Sequence, residues 1–268
     1  MSFIAAMDNS GGSAGGVLDL YGQTWTEDDK MEKIHAFRMR MAECMNENYL
    51  KVGKTIDTAI LYKDSVERGA VPILAEKGIA SYLKIDEGCE GNGTLKLFDI
   101  NGMCEYAVKN GCTGTKMRSI VYDHYLVDCI LTQQFAIAKI ITLHGLMPIV
   151  EPEVPIQHPN KLDIERRLNQ RIIHWLDNID YKVTLKLTLP SDKGLYNWAV
   201  QHRNVHRIVA LSGGYDLEDS CKLLSLNNMG ASFSRALAEG LRYEMSDAEF
   251  KETIQENIKR INTACLQL

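Results

Sequence analysis

Charged side chains stand at the ends of short apolar runs in this sequence, where they make poor core and good chemistry. Asp8 follows Phe3-Ile4-Ala5-Ala6-Met7, and Lys84 and Asp86 close the run that starts at Ile79. Lys116 and Arg118 lie in the run 115–120, and Glu151 and Glu153 follow Met147-Pro148-Ile149-Val150. Lys186 sits inside the run 183–187, and Arg235 follows the run 231–234. A buried ion is costly unless it is paired or discharged. Lys84, Lys116, Arg118, Lys186 and Arg235 beside Asp8, Glu151 and Glu153 therefore form either a large satisfied ion network or a site for a phosphorylated carbonyl compound. So many cations at strand ends favour the second reading.

The register of one segment sharpens this. In Thr184-Leu185-Lys186-Leu187-Thr188-Leu189, the two-residue period of a strand puts Thr184, Lys186 and Thr188 on one face and the leucines on the other. The leucines suit a helix-covered face, so Lys186 is expected to point into the interior. It is then either a structural lysine neutralised by a carboxylate or an amine that desolvation makes nucleophilic toward a carbonyl carbon. The same parity pairs Lys84 with Asp86, Lys116 with Arg118 and Glu151 with Glu153. Pro152, between the two glutamates, predicts that the β ladder is ending there.

Anion-binding signals flank these charges. Gly213 and Gly214 let backbone N–H groups approach an anion, and a helix starting after them would favour negative charge. Ser212 offers a hydroxyl and Arg235 a forked pair of donors for phosphate oxygens. On the other side, Ser10 and Ser13 of Asn9-Ser10-Gly11-Gly12-Ser13 form a second candidate lip together with Lys84. Two such sites facing one another would suit a bisphosphate. The histidines contain no H-x-H or H-E-x-x-H arrangement, so no metal site is expected.

These residues need elements to carry them. Strand-like segments occupy 3–8, 57–61, 79–86, 115–120, 147–151, 183–187, 205–211 and 231–234, with helix-length stretches between them. Met31, Ile34, Phe37, Met41 and Met45 repeat at helical spacing, as do Ile164, Leu168, Ile172 and Trp175. Ser246 with Glu249 reads as a capping box ahead of the stripe Phe250, Ile254, Ile258 and Ile261. Eight strands alternating with helices predict an α/β fold, a closed parallel (β/α)8 TIM barrel formed by residues 1–268 as a single domain. The turn after the first strand lacks the Gly-x-Gly-x-x-Gly spacing that would mark an open dinucleotide-binding sheet. In a barrel the chemistry gathers at the carboxyl ends of the strands, where these charges lie.

Composition excludes several function classes. The 268 residues carry 30 Lys+Arg against 35 Asp+Glu, a formal charge of -5, with 45% hydrophobic residues. This balance, without a basic stripe interleaved with aromatics, argues against a nucleic-acid surface. No run approaches 18 uninterrupted apolar residues, and no charged leader precedes the first apolar run, so neither a membrane span nor a secretory signal is expected. Seven scattered cysteines, with no C-x-x-C pair, fit thiols in the reducing cytoplasm.

In order along nearly the whole chain, seven fragments resemble the class I, Schiff-base-forming fructose-1,6-bisphosphate aldolases, above all their compact bacterial branch. They are Ala-Ala-Met-Asp-Asn-Ser-Gly-Gly-Ser (5–13), Leu-Lys-Ile-Asp (83–86), Thr-Lys-Met-Arg-Ser (115–119), Ile-Val-Glu-Pro-Glu (149–153), Leu-Lys-Leu-Thr (185–188), Leu-Ser-Gly-Gly-Tyr (211–215) and Ala-Ser-Phe-Ser-Arg-Ala-Leu (231–237). The resemblance implies Lys186 as the Schiff-base lysine, Glu151 as principal acid/base, and Asp8, Lys116 and Glu153 in support. It places Ser212, Gly213, Gly214 and Arg235 at the phosphate of the dihydroxyacetone half, and Ser10, Ser13, Lys84 and Arg118 at the other half. It further implies no cofactor and no metal, a sugar bisphosphate as the small-molecule partner, no nucleic-acid or membrane partner, and room for a homo-oligomer.

Two positions depart from the pattern: Asn9 replaces a Glu or Gln, and Ser234 a glycine of the longer animal-type members. The chain also ends without the terminal tyrosine of those longer members. Its first strand starts almost at residue 1, so the amino-terminal mouth of a barrel is expected to be closed by side chains, a turn or another subunit. Competing readings are a Schiff-base aldolase for tagatose or sedoheptulose bisphosphate, a transaldolase, and an inactive sugar-phosphate-binding barrel.

Overall fold

The apolar segments form eight strands: β1 (Phe3–Met7), β2 (Ile56–Leu61), β3 (Ala80–Lys84), β4 (Gly114–Ile120), β5 (Met147–Glu153), β6 (Val183–Thr188), β7 (Val205–Leu211) and β8 (Gly230–Phe233). In the computed structural model, which describes residues 3–9, 11–46 and 55–265, they close into one barrel in sequence order. Every neighbouring pair is parallel, including β1 with β8.

Parity decides what each face touches. Ala5, Leu61, Leu83, Met117, Val150, Leu185, Leu187 and Phe233 face outward into the apolar layer beneath the helices. Ile4, Ala6, Ile60, Tyr82, Ile149 and Val209 form a separate cluster inside the barrel. Continuing the inward series two residues at a time leads from Ala6 to Asp8, from Tyr82 to Lys84 and from Ile149 to Glu151. The lumen therefore carries an apolar plug below and charges above. At the amino-terminal end, Arg207 of β7 crosses to β2, donating to Asp57 at 2.8 Å and to Thr58 Oγ1 at 2.7 Å. Register shifts in the β1–β2 and β6–β7 pairings occur beside Asp57 and Arg207, so that mouth is crossed by side chains.

The helices follow the expected stripes. Helix α1 (Gly11–Leu20) leaves the first strand, and α2 (Lys30–Glu43) buries Ile34, Phe37 and Met41. Two short helices, α3 (Lys63–Glu67) and α4 (Ala70–Glu76), lead to β3, and α5 (Ile100–Lys109) leads to β4. Helix α6 (Val127–Leu143) precedes β5, and α7 (Lys161–Asp177), which precedes β6, buries Ile164, Leu168 and Ile172. After α8 (Leu217–Ser225), the last helix α9 (Asp247–Cys265) opens on the expected box. Glu249 Oε2 accepts from Ser246 N at 3.0 Å, and Glu249 N donates to Ser246 Oγ at 3.3 Å.

By length and composition His124–Leu143 could cross a membrane, although its apolar residues are never 18 in a row. Here its α6 portion packs against β4, β5 and both flanking helices, burying Ile130, Leu131, Phe135 and Ile141.

Two strand ends lie two residues from expectation, the others at most one. The third stops at Lys84, because Asp86 turns its carboxylate to accept from Gly88 N and Arg118 N. The fifth runs through Pro152 to Glu153. Its pairing with β6 ends at Val150, while its pairing with β4 continues to Glu153. The missing N–H of the proline thus falls where no ladder bond is made.

Candidate active site

The upward continuation of the inward series opens into a cavity of about 560 Å³ at the carboxyl ends of the strands. Asp8, Lys84, Lys116, Arg118, Glu151, Glu153, Lys186, Ser212, Gly213 and Arg235 all line it. Gly214 is not among the lining residues, although a Cβ on it would lie 3.8 Å from Arg235 Nη2. Ser10 lies outside the described residues, and of Ser13 only its place in α1 is described.

At the floor the charges interlock. Lys116 Nζ is 2.5 Å from Asp8 Oδ2 and 3.3 Å from Glu151 Oε2, while Lys186 Nζ is 3.1 Å from Glu151 Oε1. Glu151 thus bridges two lysines, one with each oxygen, and its Oε2 faces Lys116 as an ion pair without hydrogen-bond geometry. Lys116, Glu151 and Lys186 are all buried. Burial acts to raise the Asp8 pKa, but the charges of Lys116 and Lys186, the Lys116 hydrogen bond and the charge of Lys84 outweigh it. The carboxyl is held far below the usual range. Burial likewise acts against the Lys116 ammonium, and Asp8, Glu151 and Asp86 together hold its pKa above the ordinary lysine value.

The rim carries separate pairs. Lys84 Nζ binds Asp86 Oδ1 at 2.8 Å and the Asp86 carbonyl at 2.6 Å, and Arg118 Nη1 is 3.1 Å from Glu153 Oε2. Opposite, Gly213 and Gly214 have φ of +64° and +122°, conformations that a side chain would strain. They place Ser212 and the loop backbone beside Arg235. The arrangement can therefore hold anionic groups at two sides of a floor that contains an amine and a carboxylate in hydrogen-bonding reach of each other. Among the described residues, no group of three or more His, Cys, Asp or Glu side chains converges as metal ligands would.

Several contributors were given no role at the site from the sequence. Asp86 is buried and ties β3 to β4 through Arg118 N at 3.2 Å. Gln134 of α6 donates to the Glu151 carbonyl at 3.2 Å, and buried Arg38 of α2 donates to the Asn9 carbonyl at 2.7 Å. Ser232 lines the cavity with a buried hydroxyl that lacks a partner among the described residues. Its signal was the alternation of Ser232 on β8 with Ser234 just beyond the strand's end. The two departures from the family pattern meet here: Ser234 Oγ lies 3.4 Å from Asn9 Oδ1.

Comparison with known proteins finds relatives in sequence and likenesses in structure. The fructose-bisphosphate aldolase class 1 of Synechocystis is 37% identical over 284 aligned positions, covering 98% of this chain and 93% of the relative. A solved fructose-bisphosphate aldolase of Plasmodium falciparum superposes with a TM-score of 0.74 at 18% identity, covering 99% of this chain and 90% of that one. An archaeal fructose-1,6-bisphosphate aldolase, solved with its catalytic lysine covalently bound to the carbinolamine intermediate of the substrate, gives 0.55 at 14% identity, covering 96% and 93%. At these identities the two structures bear on the fold. No family model matches the chain.

Proposed function

Since the chain belongs to the class 1 fructose-bisphosphate aldolases, we propose that its cavity cleaves fructose 1,6-bisphosphate reversibly through a Schiff base on Lys186. The observation that carries this reading is Glu151, which bridges Lys186 and Lys116 at the floor of a cavity with anion-binding groups on two sides.

The groups divide the labour as follows. Ser212, Arg235 and the Gly213–Gly214 backbone hold the phosphate next to the ketone, and Lys84, Arg118, Ser10 and Ser13 hold the distal phosphate. Glu153 orients Arg118 through their ion pair. Lys186 passes a proton to Glu151, and its neutral amine attacks C2. Glu151 then protonates the carbinolamine hydroxyl, which leaves as water, and an iminium remains. The C3–C4 bond breaks as its electrons move onto the iminium nitrogen, while the C4 hydroxyl gives its proton to Asp8. Lys116 keeps Asp8 ionised for that step and stabilises transient negative charge. Glyceraldehyde 3-phosphate departs. Asp8 gives its proton up again and C3 of the enamine takes one, the exchange passing through solvent, so that Asp8 is ionised once more; water then hydrolyses the new iminium to dihydroxyacetone phosphate and free Lys186. The iminium serves as the electron sink, so the chemistry needs no metal.

The test is a product assay with fructose 1,6-bisphosphate in the presence of a chelator. Both triose phosphates should appear in equal amounts, at an undiminished rate. Absence of either product, or activity that returns only on adding zinc, would refute the reading.

A further inference from the structure

The hydroxyl of Thr188, two residues beyond Lys186 on β6, is not directed at the cavity floor. Thr188 Oγ1 accepts from Val154 N at 2.9 Å and donates to the Val154 carbonyl at 2.8 Å. This double bond pattern joins β6 to the chain leaving β5, beyond the point where their ladder ends at Val150 and Leu185. Both residues are buried, so the hydroxyl satisfies a main-chain donor and acceptor that water does not reach.

The segment held in this way carries Ile156. A Cβ built on Gly213 would lie 2.7 Å from Ile156 Cγ2 and 4.0 Å from Thr188 Cγ2, and one built on Gly214 would lie 3.3 Å from Ile156 Cδ1. Ile156 therefore sits directly on the two glycines of the loop after β7, and the Thr188 methyl stands beside the first of them. Both glycines hold positive φ, which glycine adopts without preference for one shape. Their flexibility leaves the loop geometry to whatever packs against it.

We infer that Thr188 and Ile156 are positioning residues for the anion loop. The Thr188 clamp on Val154 seats Ile156 as a wedge, and the wedge fixes the Ser212-Gly213-Gly214 backbone for the phosphate next to the ketone. The inference rests on the proposed function, whose phosphate site it deepens. A structural role alone would lower stability. A positioning role also selects between ligands with and without a phosphate.

The experiment measures borohydride inactivation of the full chain at increasing dihydroxyacetone phosphate, and in parallel with unphosphorylated dihydroxyacetone. Thr188→Val keeps the branched shape and loses both hydrogen bonds. Thr188→Ser keeps the bonds and loses the methyl. Ile156→Ala removes the wedge without stripping a buried polar group, so it serves should Thr188→Val fail to fold. Thr188→Val and Ile156→Ala should each raise the half-saturating concentration of dihydroxyacetone phosphate about 10-fold, equivalent to ~1.4 kcal/mol. They should leave that of dihydroxyacetone within about 2-fold, and Thr188→Ser should stay within about 2-fold of wild type for both ligands. Unchanged binding of the phosphorylated ketone in Ile156→Ala, or equal weakening of both ketones, would overturn the inference. So would Thr188→Ser behaving like Thr188→Val. A wild-type protein that neither ketone sensitises to borohydride would overturn the Schiff-base reading and this inference with it.

Discussion

Replacing Lys116 by methionine removes the cation shared by two buried carboxylates, and the structure says how much that should cost. At the observed 2.5 Å to Asp8 and 3.3 Å to Glu151, the gross attractions are about 7 and about 5 kcal/mol at an effective dielectric of ~20. Desolvating the three ions already consumes several kcal/mol for each, so the net loss on deleting one partner of a buried pair is about 3–5 kcal/mol. For a chain of this size the loss corresponds to a fall in Tm of roughly 6–20 °C. The pH dependence carries the sign. The folded pKa of Asp8 lies below its ordinary value of 3.8, so its stabilising contribution is complete above that value and is lost as pH falls through the folded pKa. Equilibrium urea unfolding of wild type and Lys116→Met, compared from pH 7 downward, should show a constant gap to about pH 5 that narrows below about pH 4. Equal stability at pH 7, or a gap that stays constant to pH 3, would refute the interlocked network.

Two further outcomes follow from the geometry. Arg235→Ala should raise KM for fructose 1,6-bisphosphate about 10- to 150-fold, the equivalent of losing charge-assisted bonds worth about 1.5–3 kcal/mol. Steady-state kinetics at fixed ionic strength measure it, and an unchanged KM would remove Arg235 from the phosphate site. Ser246→Ala should cost ~1 kcal/mol through the lost helix cap, lowering Tm by roughly 2–4 °C with kcat unchanged. Thermal unfolding and the product assay together check this.

Strand parity made most of the floor legible in the sequence. The alternation around Lys186, and the paired charges at 116 and 118 and at 151 and 153, needed only a two-residue period to fall on one face, and the barrel put those faces together. The end of β3 was not legible, because Asp86 leaves the strand to bind two backbone amides, and that choice depends on where β4 lies. Pro152 misled for a related reason. It does mark the end of pairing with β6, but β5 has two neighbours and continues along the other one. Arg38, Gln134 and Arg207 each look like ordinary helix or strand polar residues, since nothing in a local pattern reveals a partner 29, 17 or 150 positions away. Thr188 was placed on the correct face, yet its hydroxyl is spent on Val154, a contact set by how two strand ends diverge.

Cleavage turns on a covalent bond at Lys186, and that bond can be trapped and located. Wild type is mixed with fructose 1,6-bisphosphate, reduced with borohydride during turnover, digested and analysed by peptide mass, alongside Lys186→Met. A reduced sugar-phosphate adduct is expected on Lys186 in wild type, and neither adduct nor cleavage in a Lys186→Met protein that retains its fold by circular dichroism. An adduct on Lys84 or Lys116 instead, or full steady-state activity in Lys186→Met, would contradict it.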